Sequence, residues 1–383
     1  METIEDFLNQ RKEEGLLRKL RPAHIRRAGR IHFGDKEYID LSSNDYLGLS
    51  NHPKMIETAR EAAGIYGVGS SASRLLSGDL EICHELEERI AEFKGKEAAL
   101  IFNSGYQANV GILSALYGEG DCIFSDKLNH ASIVDGLALS GAKFFRFSHN
   151  DTTHLEALLE KERAKFKNAL IITETIFSMD GDRPGLKGLV GLKKKFDCKL
   201  MVDEAHATGI FGKNGSGVVE EESLTDEVDL IMGTFGKALG SFGAYLASSG
   251  QIIEYMINRC RSFIYSTALS PITIACNLAA IDLIEKEPRR REELLKRAHY
   301  FRNALEGKGF NVRGSSQIVP VIMGENQAAV RMAEALQAKG YWALPIRPPT
   351  VPEGEARLRF SLTYDHDIAT LEKLANDIAA MSF

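Results

Sequence analysis

The chain has 383 residues, long enough for two or three domains and a sizeable core. Hydrophobic residues make up 44% and charged residues 26%, an ordinary globular balance that excludes a disordered or fibrous chain. Lys and Arg number 47 against 53 Asp and Glu, and a net charge of −6 argues against nucleic-acid backbone binding, which needs a concentrated positive surface.

Five cysteines, Cys83, Cys122, Cys198, Cys260 and Cys276, are widely spaced with no C-x-x-C pair. They support neither a disulfide framework nor a zinc ribbon. The start, METIEDFLNQRKEEG, carries acids and no apolar leader segment, and no stretch approaches the roughly 18 apolar residues of a spanning helix. These features predict a cytoplasmic protein without a membrane partner.

In chain order, residues 1–45 read as a helical arm. Within it, residues 15–30 (GLLRKLRPAHIRRAGR) hold six Lys/Arg and no acid, the pattern of a solvated face from which one cation can still meet an anionic substrate. A large domain is expected over 46–285. There, short apolar runs alternate with helical patterns: AALIF (98–102), DCIFS (121–125), KFFRF (143–147), ALIITE (169–174), KLMVDE (199–204), DLIMG (229–233) and AYLAS (244–248). This is the βαβ rhythm of a mostly parallel sheet covered on both faces. Ligands of such sheets bind at the carboxyl ends of the strands. A long helical stretch near 270–307 leads into a small α+β domain over 286–383, with QIVPVIM (317–323), a helix near 326–339, YWALPI, a Pro-rich loop, ARLRFSL (356–362) and a final helix.

The loops after the runs hold the chemistry. NSGYQAN (103–109) is a turn into a helix, whose free N–H groups suit a phosphate and whose Tyr106 offers a ring to a planar ligand. Asp203 ends a buried apolar strand and begins Asp203-Glu204-Ala205-His206. A carboxylate there needs a partner. Three readings compete: an ATPase motif, two metal ligands, or a carboxylate holding a cationic ring nitrogen. The metal reading lacks further ligands at suitable spacing. The ATPase reading needs G-x-x-x-x-G-K-[ST], but around Gly236-Lys237 the first Gly is replaced by Ile231 and the Ser/Thr by Ala238. Lys237 follows an apolar strand among small residues, and a partly desolvated lysine there has its charged form disfavoured and becomes a Schiff-base nucleophile.

A phosphate loop, a strand-end Asp and a cleft Lys, in that order on an α/β sheet, are the parts a pyridoxal phosphate enzyme requires. The lysine carries the cofactor as an imine, the aspartate keeps the pyridine nitrogen protonated and the loop anchors the phosphate. His130 and His206, at two strand ends, are placed to stack on the ring or to bond its phenolic oxygen.

Six ordered motifs, SNDYLGL (43–49), GSSASRLLSG (69–78), NSGYQAN (103–109), FSMDGD (177–182), VDEAHATG (202–209) and TFGKALG (234–240), resemble those of the α-oxoamine synthases. These are pyridoxal phosphate enzymes of the aspartate aminotransferase-like fold type I, an α/β class with a mostly parallel sheet and a small C-terminal domain. The resemblance implies a decarboxylating condensation of an amino acid with an acyl thioester. It implies Lys237 as the imine lysine, Asp203 as the ring-nitrogen partner and His130 as the stacking residue and a substrate contact. By the same resemblance His206 contacts the ring oxygen, Gly105 and Tyr106 lie beside the cofactor, and Ser178 and Thr234 complete its shell. Ser266 and Thr267 resemble a segment that reaches the phosphate from a partner subunit, so a homodimer with shared active sites is implied.

The segment IRPPTVPEGEARLR (346–359) resembles that of members joining L-alanine to a pimeloyl thioester. Arg18 and Thr350 then become substrate contacts, Arg359 the clamp for the amino-acid carboxylate, and Arg347 a contact for the acyl substrate. Alternatives are a member condensing glycine with acetyl-CoA and, more remotely, a non-catalytic pyridoxal phosphate-binding regulator. Arg357 and Arg359 can also be read as partners of surface acids. Ala207 and Ser241-Phe242 depart from the glycines common in relatives and bear on substrate fit.

Overall fold

The computed structural model describes residues 3–14 and 16–381. The first helix, Ile4–Glu13, opens with a capping box in which the Thr3 hydroxyl accepts from Asp6 N–H and the Asp6 carboxylate accepts from Thr3 N–H. Residues 16–23 then carry no regular secondary structure and strands follow, which corrects the expected helical arm. Strands β1 (Ile25–Arg27), β2 (Arg30–Phe33) and β3 (Lys36–Asp40) form an antiparallel ribbon. Ala28 (φ 49°) and Gly29 (φ 68°) join the paired Arg27 and Arg30 in a two-residue turn, whose left-handed pair of residues suits the twist of a hairpin better than a helix.

All seven apolar runs become strands of one sheet: β4 (Ala98–Phe102), β5 (Cys122–Asp126), β6 (Lys143–Phe147), β7 (Ala169–Glu174), β8 (Lys199–Asp203), β9 (Leu230–Thr234) and β10 (Ala244–Ser248). Their order is β4-β10-β9-β8-β7-β5-β6. Pairing is parallel from β9 through β8, β7 and β5 to β6, and β10 alone runs antiparallel to both its neighbours. Every position of β5, β7, β9 and β10 is buried, as expected where helices cover both faces. Successive side chains of β7 divide between two cores: Ile171 joins one apolar cluster, and Leu170 and Ile172 join the other. Each such buried aliphatic side chain contributes about 1.5–3 kcal/mol.

The long helical stretch divides into Pro271–Lys286 and Arg289–Glu306 around Pro288, whose ring cannot continue the first helix. Next come β11 (Ile318–Gly324), β12 (Tyr341–Trp342), β13 (Pro345–Ile346) and β14 (Ala356–Ser361), with the helix Asn326–Ala338 after β11 and Ile368–Ala379 last. β11, β14 and β13 form a small antiparallel sheet, while β12 pairs in parallel with β3. Trp342 of β12 packs on Phe33 of β2 with the ring centroids 4.2 Å apart and the planes tilted by 40°. The N-terminal ribbon is thus built onto the C-terminal part of the chain.

Candidate active site

Five strands release their loops at the carboxyl end of the central sheet, and residues from all five line one cavity of about 240 Å³. After β4, Ser104 caps the helix Gly105–Leu116, its hydroxyl accepting from Gln107 N–H at 3.2 Å. The N–H groups of Gly105 and Tyr106, in the first turn, have no intrahelical acceptor and favour an anion. A Cβ on Gly105 would lie 2.7 Å from Thr234 Cγ2, so only glycine lets helix start and β9 approach so closely. The Tyr106 hydroxyl donates to Asp135, and its ring lies edge-on to His130 at 6.5 Å.

Asp203, the last residue of β8, is 5% exposed and accepts from Asn109 Nδ2 at 3.0 Å and from Ala205 N–H at 2.8 Å. The Asn109 amide also reaches the Ser132 hydroxyl at 3.0 Å, and Ser132 in turn lies 2.8 Å from His130 Nδ1. Desolvation lowers the His130 pKa, with Lys237 adding to it against the pull of Asp203. His206 Nδ1 meets the Tyr46 hydroxyl at 2.7 Å. Burial, reinforced by Lys237 and Arg359, lowers the His206 pKa well below its ordinary value, so burial favours the uncharged form of both imidazoles.

Lys237 is partly buried on the cavity wall. Its desolvation outweighs the attraction of Asp203 and Glu174 and lowers its pKa. More of the amine is therefore free base at neutral pH than for a solvated lysine, as imine formation requires.

Arg359 on β14 approaches from the C-terminal sheet. Its Nε donates to the Ser178 carbonyl, one terminal nitrogen donates to Ser361 Oγ at 2.6 Å and the other to the Tyr46 hydroxyl at 3.2 Å. Asn44 Oδ1 sits in the guanidinium fork, 3.3 Å from each terminal nitrogen. Arg357 differs sharply: fully buried, it pairs with Asp180 at 2.6 Å and Glu355 at 2.8 Å. Of its two partners Asp180 is buried, and Glu355 is the surface acid that the sequence reading allowed.

The structure brings Gly105, Tyr106, His130, Asp203, His206, Thr234 and Lys237 together on this cavity. Ser178 and Arg359 do not line it; Arg359 reaches it through Asn44, which does, and Ser178 lies behind Arg359. Phe242, one of the departures noted above, is part of its wall. Ser266 and Thr267 do not join it within one chain: Ser266 Oγ accepts from Gln107 Nε2 at 2.9 Å, and the Thr267 carbonyl accepts from Asn103 at 2.9 Å. Arg18, Arg347 and Thr350 line a different cavity of about 300 Å³ together with Arg11 and the Pro-rich loop. Asn44, Tyr46, Asn109 and Glu174 were not singled out from sequence. For Glu174 the signal was present, because it ends an apolar strand as Asp203 does.

The residues fit pyridoxal phosphate. The Thr234 hydroxyl, buried on the cavity wall, has no hydrogen-bond partner among the described residues, and a phosphate or ring oxygen would satisfy it. The helix start offers donors for the phosphate, Asp203 an acceptor for the ring nitrogen, and Lys237 the amine.

Residues 36–378 match the family model described as aminotransferase class I and II. The 8-amino-7-oxononanoate synthase of Geobacter sulfurreducens is 48% identical over 99% of this chain and 97% of that protein. A serine palmitoyltransferase from S. paucimobilis, solved with bound pyridoxal phosphate and myriocin, superposes with a TM-score of 0.92 at 30% identity, over 98% of this chain and 96% of that one. The 8-amino-7-oxononanoate synthase of Francisella tularensis superposes with a TM-score of 0.78 at 29% identity, over 89% of this chain and 97% of that one. The architecture is fold type I and the cofactor is pyridoxal phosphate. The chain belongs to the aminotransferase class I and II family, as a pyridoxal phosphate-dependent acyltransferase of its α-oxoamine synthase branch.

Proposed function

We propose that this enzyme condenses L-alanine with a pimeloyl thioester, releasing carbon dioxide and a free thiol and forming 8-amino-7-oxononanoate, a step of biotin biosynthesis. Identity of 48% to a synthase of that name over nearly the whole of both chains carries the substrate reading. The cavity supports the reaction type, since it gathers a desolvated lysine, a strand-end carboxylate and two imidazoles whose charged forms burial disfavours.

Pyridoxal phosphate supplies an electron sink for the substrate α-carbon. The N–H groups of Gly105 and Tyr106 would hold its phosphate, Thr234 and His206 its polar edge, Asp203 its ring nitrogen and His130 its face. Lys237 would hold it through its side-chain amine, and the same amine is placed to take the substrate α-proton. Arg359 binds the alanine carboxylate. The 3.3 Å contacts of Asn44 in its fork are longer than charge-assisted bonds, so a carboxylate displaces that amide oxygen with net gain. Phe242 and Tyr106 add aromatic surface to the cavity wall and are about half exposed to solvent.

A second copy of the chain is proposed to bring its own Ser266 and Thr267 to the phosphate. The support is apolar exposure on neighbouring segments: Val68 is 77% exposed, Leu76 80% and Tyr265 72%. These segments are tied together, since Ser270 Oγ donates to the Val68 carbonyl at 2.7 Å and Ser73 bridges Thr267. No helix among the described residues is long and apolar enough to cross a membrane. All five cysteines are free thiols, which supports a reducing, cytoplasmic setting.

Thiol release by the cofactor-loaded enzyme tests the reading. Release is expected with L-alanine plus pimeloyl-CoA and not with glycine plus acetyl-CoA. The reverse result would keep the cofactor and Lys237 and overturn the substrates.

A further inference from the structure

Glu174 ends β7 with 2% of its surface exposed, in a strand that is otherwise apolar apart from Thr173. It is the register partner of Asp203 on β8, so two carboxylates stand side by side at the floor of the cavity, and both line it. Nothing in the reaction described above uses the second one. Its burial is unfavourable, and desolvation together with the neighbouring Asp203 raises its pKa well above the ordinary carboxylate range, with Lys237 only partly opposing. A group held at such a cost needs compensating donors.

Those donors lie on two different loops. Glu174 Oε1 accepts from the backbone N–H of His130 at 2.7 Å, the residue that caps the helix Ala131–Ser140. The backbone N–H of Ser178 interacts with the same carboxylate group. Ser178 in turn offers its carbonyl to Arg359 Nε. One side chain is therefore hydrogen-bonded to the turn that presents the His130 imidazole and interacts electrostatically with the backbone of the loop that braces the Arg359 guanidinium.

We propose that Glu174 is a positioning residue that sets both walls of the cavity, fixing the His130 turn against the cofactor and the Ser178 loop behind the substrate-carboxylate clamp. The proposal deepens the site reading and rests on its assignment of His130 to the cofactor face and Arg359 to the alanine carboxylate. Glutamine in place of Glu174 has the same shape and still offers one acceptor oxygen, but it cannot ionise and puts an amide NH₂ where the second oxygen stood. Alanine removes the acceptor of the His130 N–H.

The test uses the holoenzyme as Glu174→Gln, Glu174→Ala and each combined with His130→Ala. The absorbance of the bound cofactor and its titration with L-alanine are read together with the melting temperature. In Glu174→Ala the apparent alanine affinity is expected to fall about tenfold, and in Glu174→Gln by a smaller factor, the scale set by orphaned buried donors. The cofactor spectrum should change in both. Once His130→Ala is present, Glu174→Gln should produce no further spectral change, because the two act through one contact. A lowered melting temperature with unchanged spectrum and affinity would make Glu174 merely structural and overturn the proposal, and Glu174→Gln can show this even if Glu174→Ala fails to fold. If His130→Ala alone leaves the spectrum unaltered, the assignment of His130 fails and the proposal falls with it. If His130→Ala alters the spectrum but Glu174→Gln does not, only the proposal fails.

Discussion

Two lysines serve the loop that follows β8, and they are held in opposite ways. Lys94 meets Glu204 at 2.7 Å with both side chains fully buried. The Thr208 hydroxyl lies 3.2 Å from its amine, the Ser216 carbonyl also accepts from it, and the other Glu204 oxygen accepts from Val219 N–H at 3.0 Å. Burial alone would lower the Lys94 pKa, yet contact with Glu204 outweighs it and the pKa rises. Lys237 is associated with the preceding acid, Asp203, but among the described residues no acid lies within ion-pair distance of it, and its pKa falls. Desolvation acts on both amines; direct pairing separates a fastening from a reagent.

Replacing each lysine should break this comparison in a different observable. Lys237→Ala is expected to reduce turnover by about 10⁴-fold or more, because imine formation and proton removal are lost together, while the melting temperature stays near that of the parent. Substantial residual turnover would show that Lys237 is not the reagent. Lys94→Ala should instead cost about 3–5 kcal/mol of stability by leaving Glu204 buried and unpaired. Chemical denaturation reads this directly, and Lys94→Met with Glu204→Leu should recover much of the loss.

The acid beside each lysine sharpens the contrast. Asp203→Asn keeps the bond from Asn109 but removes the charge, and exchange of the alanine α-proton should slow by about 10²-fold or more. Isotope exchange followed by NMR would detect it, and an unchanged rate would sever Asp203 from the cofactor ring.

The smallest expected effect concerns a charge pair outside the comparison. His149 bridges Asp126 at 3.0 Å and Asp182 at 2.9 Å. Burial opposes its charge, but bonds to the two carboxylates prevail and raise its pKa to about 9. Because the folded pKa lies above the unfolded value of about 6.5, its stabilisation is fully present below that pH and disappears as pH rises through 9. The difference in melting temperature between parent and His149→Gln should therefore be largest near pH 6 and shrink toward pH 10. A pH-independent difference would remove the ionic contribution.

Legibility in the sequence followed the range of the interactions involved. The seven strands of the central sheet appeared as apolar runs within about one residue of their limits, because burial on both faces leaves a local mark. Lys237, Asp203 and His130 stood out because polar groups at the ends of such runs are chemically expensive. Glu174 obeyed the same rule but was read as the tail of an apolar run, since only its alignment with Asp203 across β7 and β8 reveals two acids together. Arg357 and Arg359 looked alike in ARLRFSL, two residues apart and so on one face of β14. Their different fates came from the loop opposite, where Asp180 takes one guanidinium and the Ser178 carbonyl meets the other.

By itself, then, the sequence determined what local chemistry can write: the alternating elements, the strand-end reactive groups and the ordered motifs of the family. Tertiary structure alone decided the antiparallel placement of β10, the pairing of β3 with a strand three hundred residues downstream, and the second cavity that gathers Arg18, Arg347 and Thr350 away from Lys237. Each depends on contacts between segments far apart in the chain. Register and proximity there are set by the packing of whole faces, which no local pattern of residues encodes.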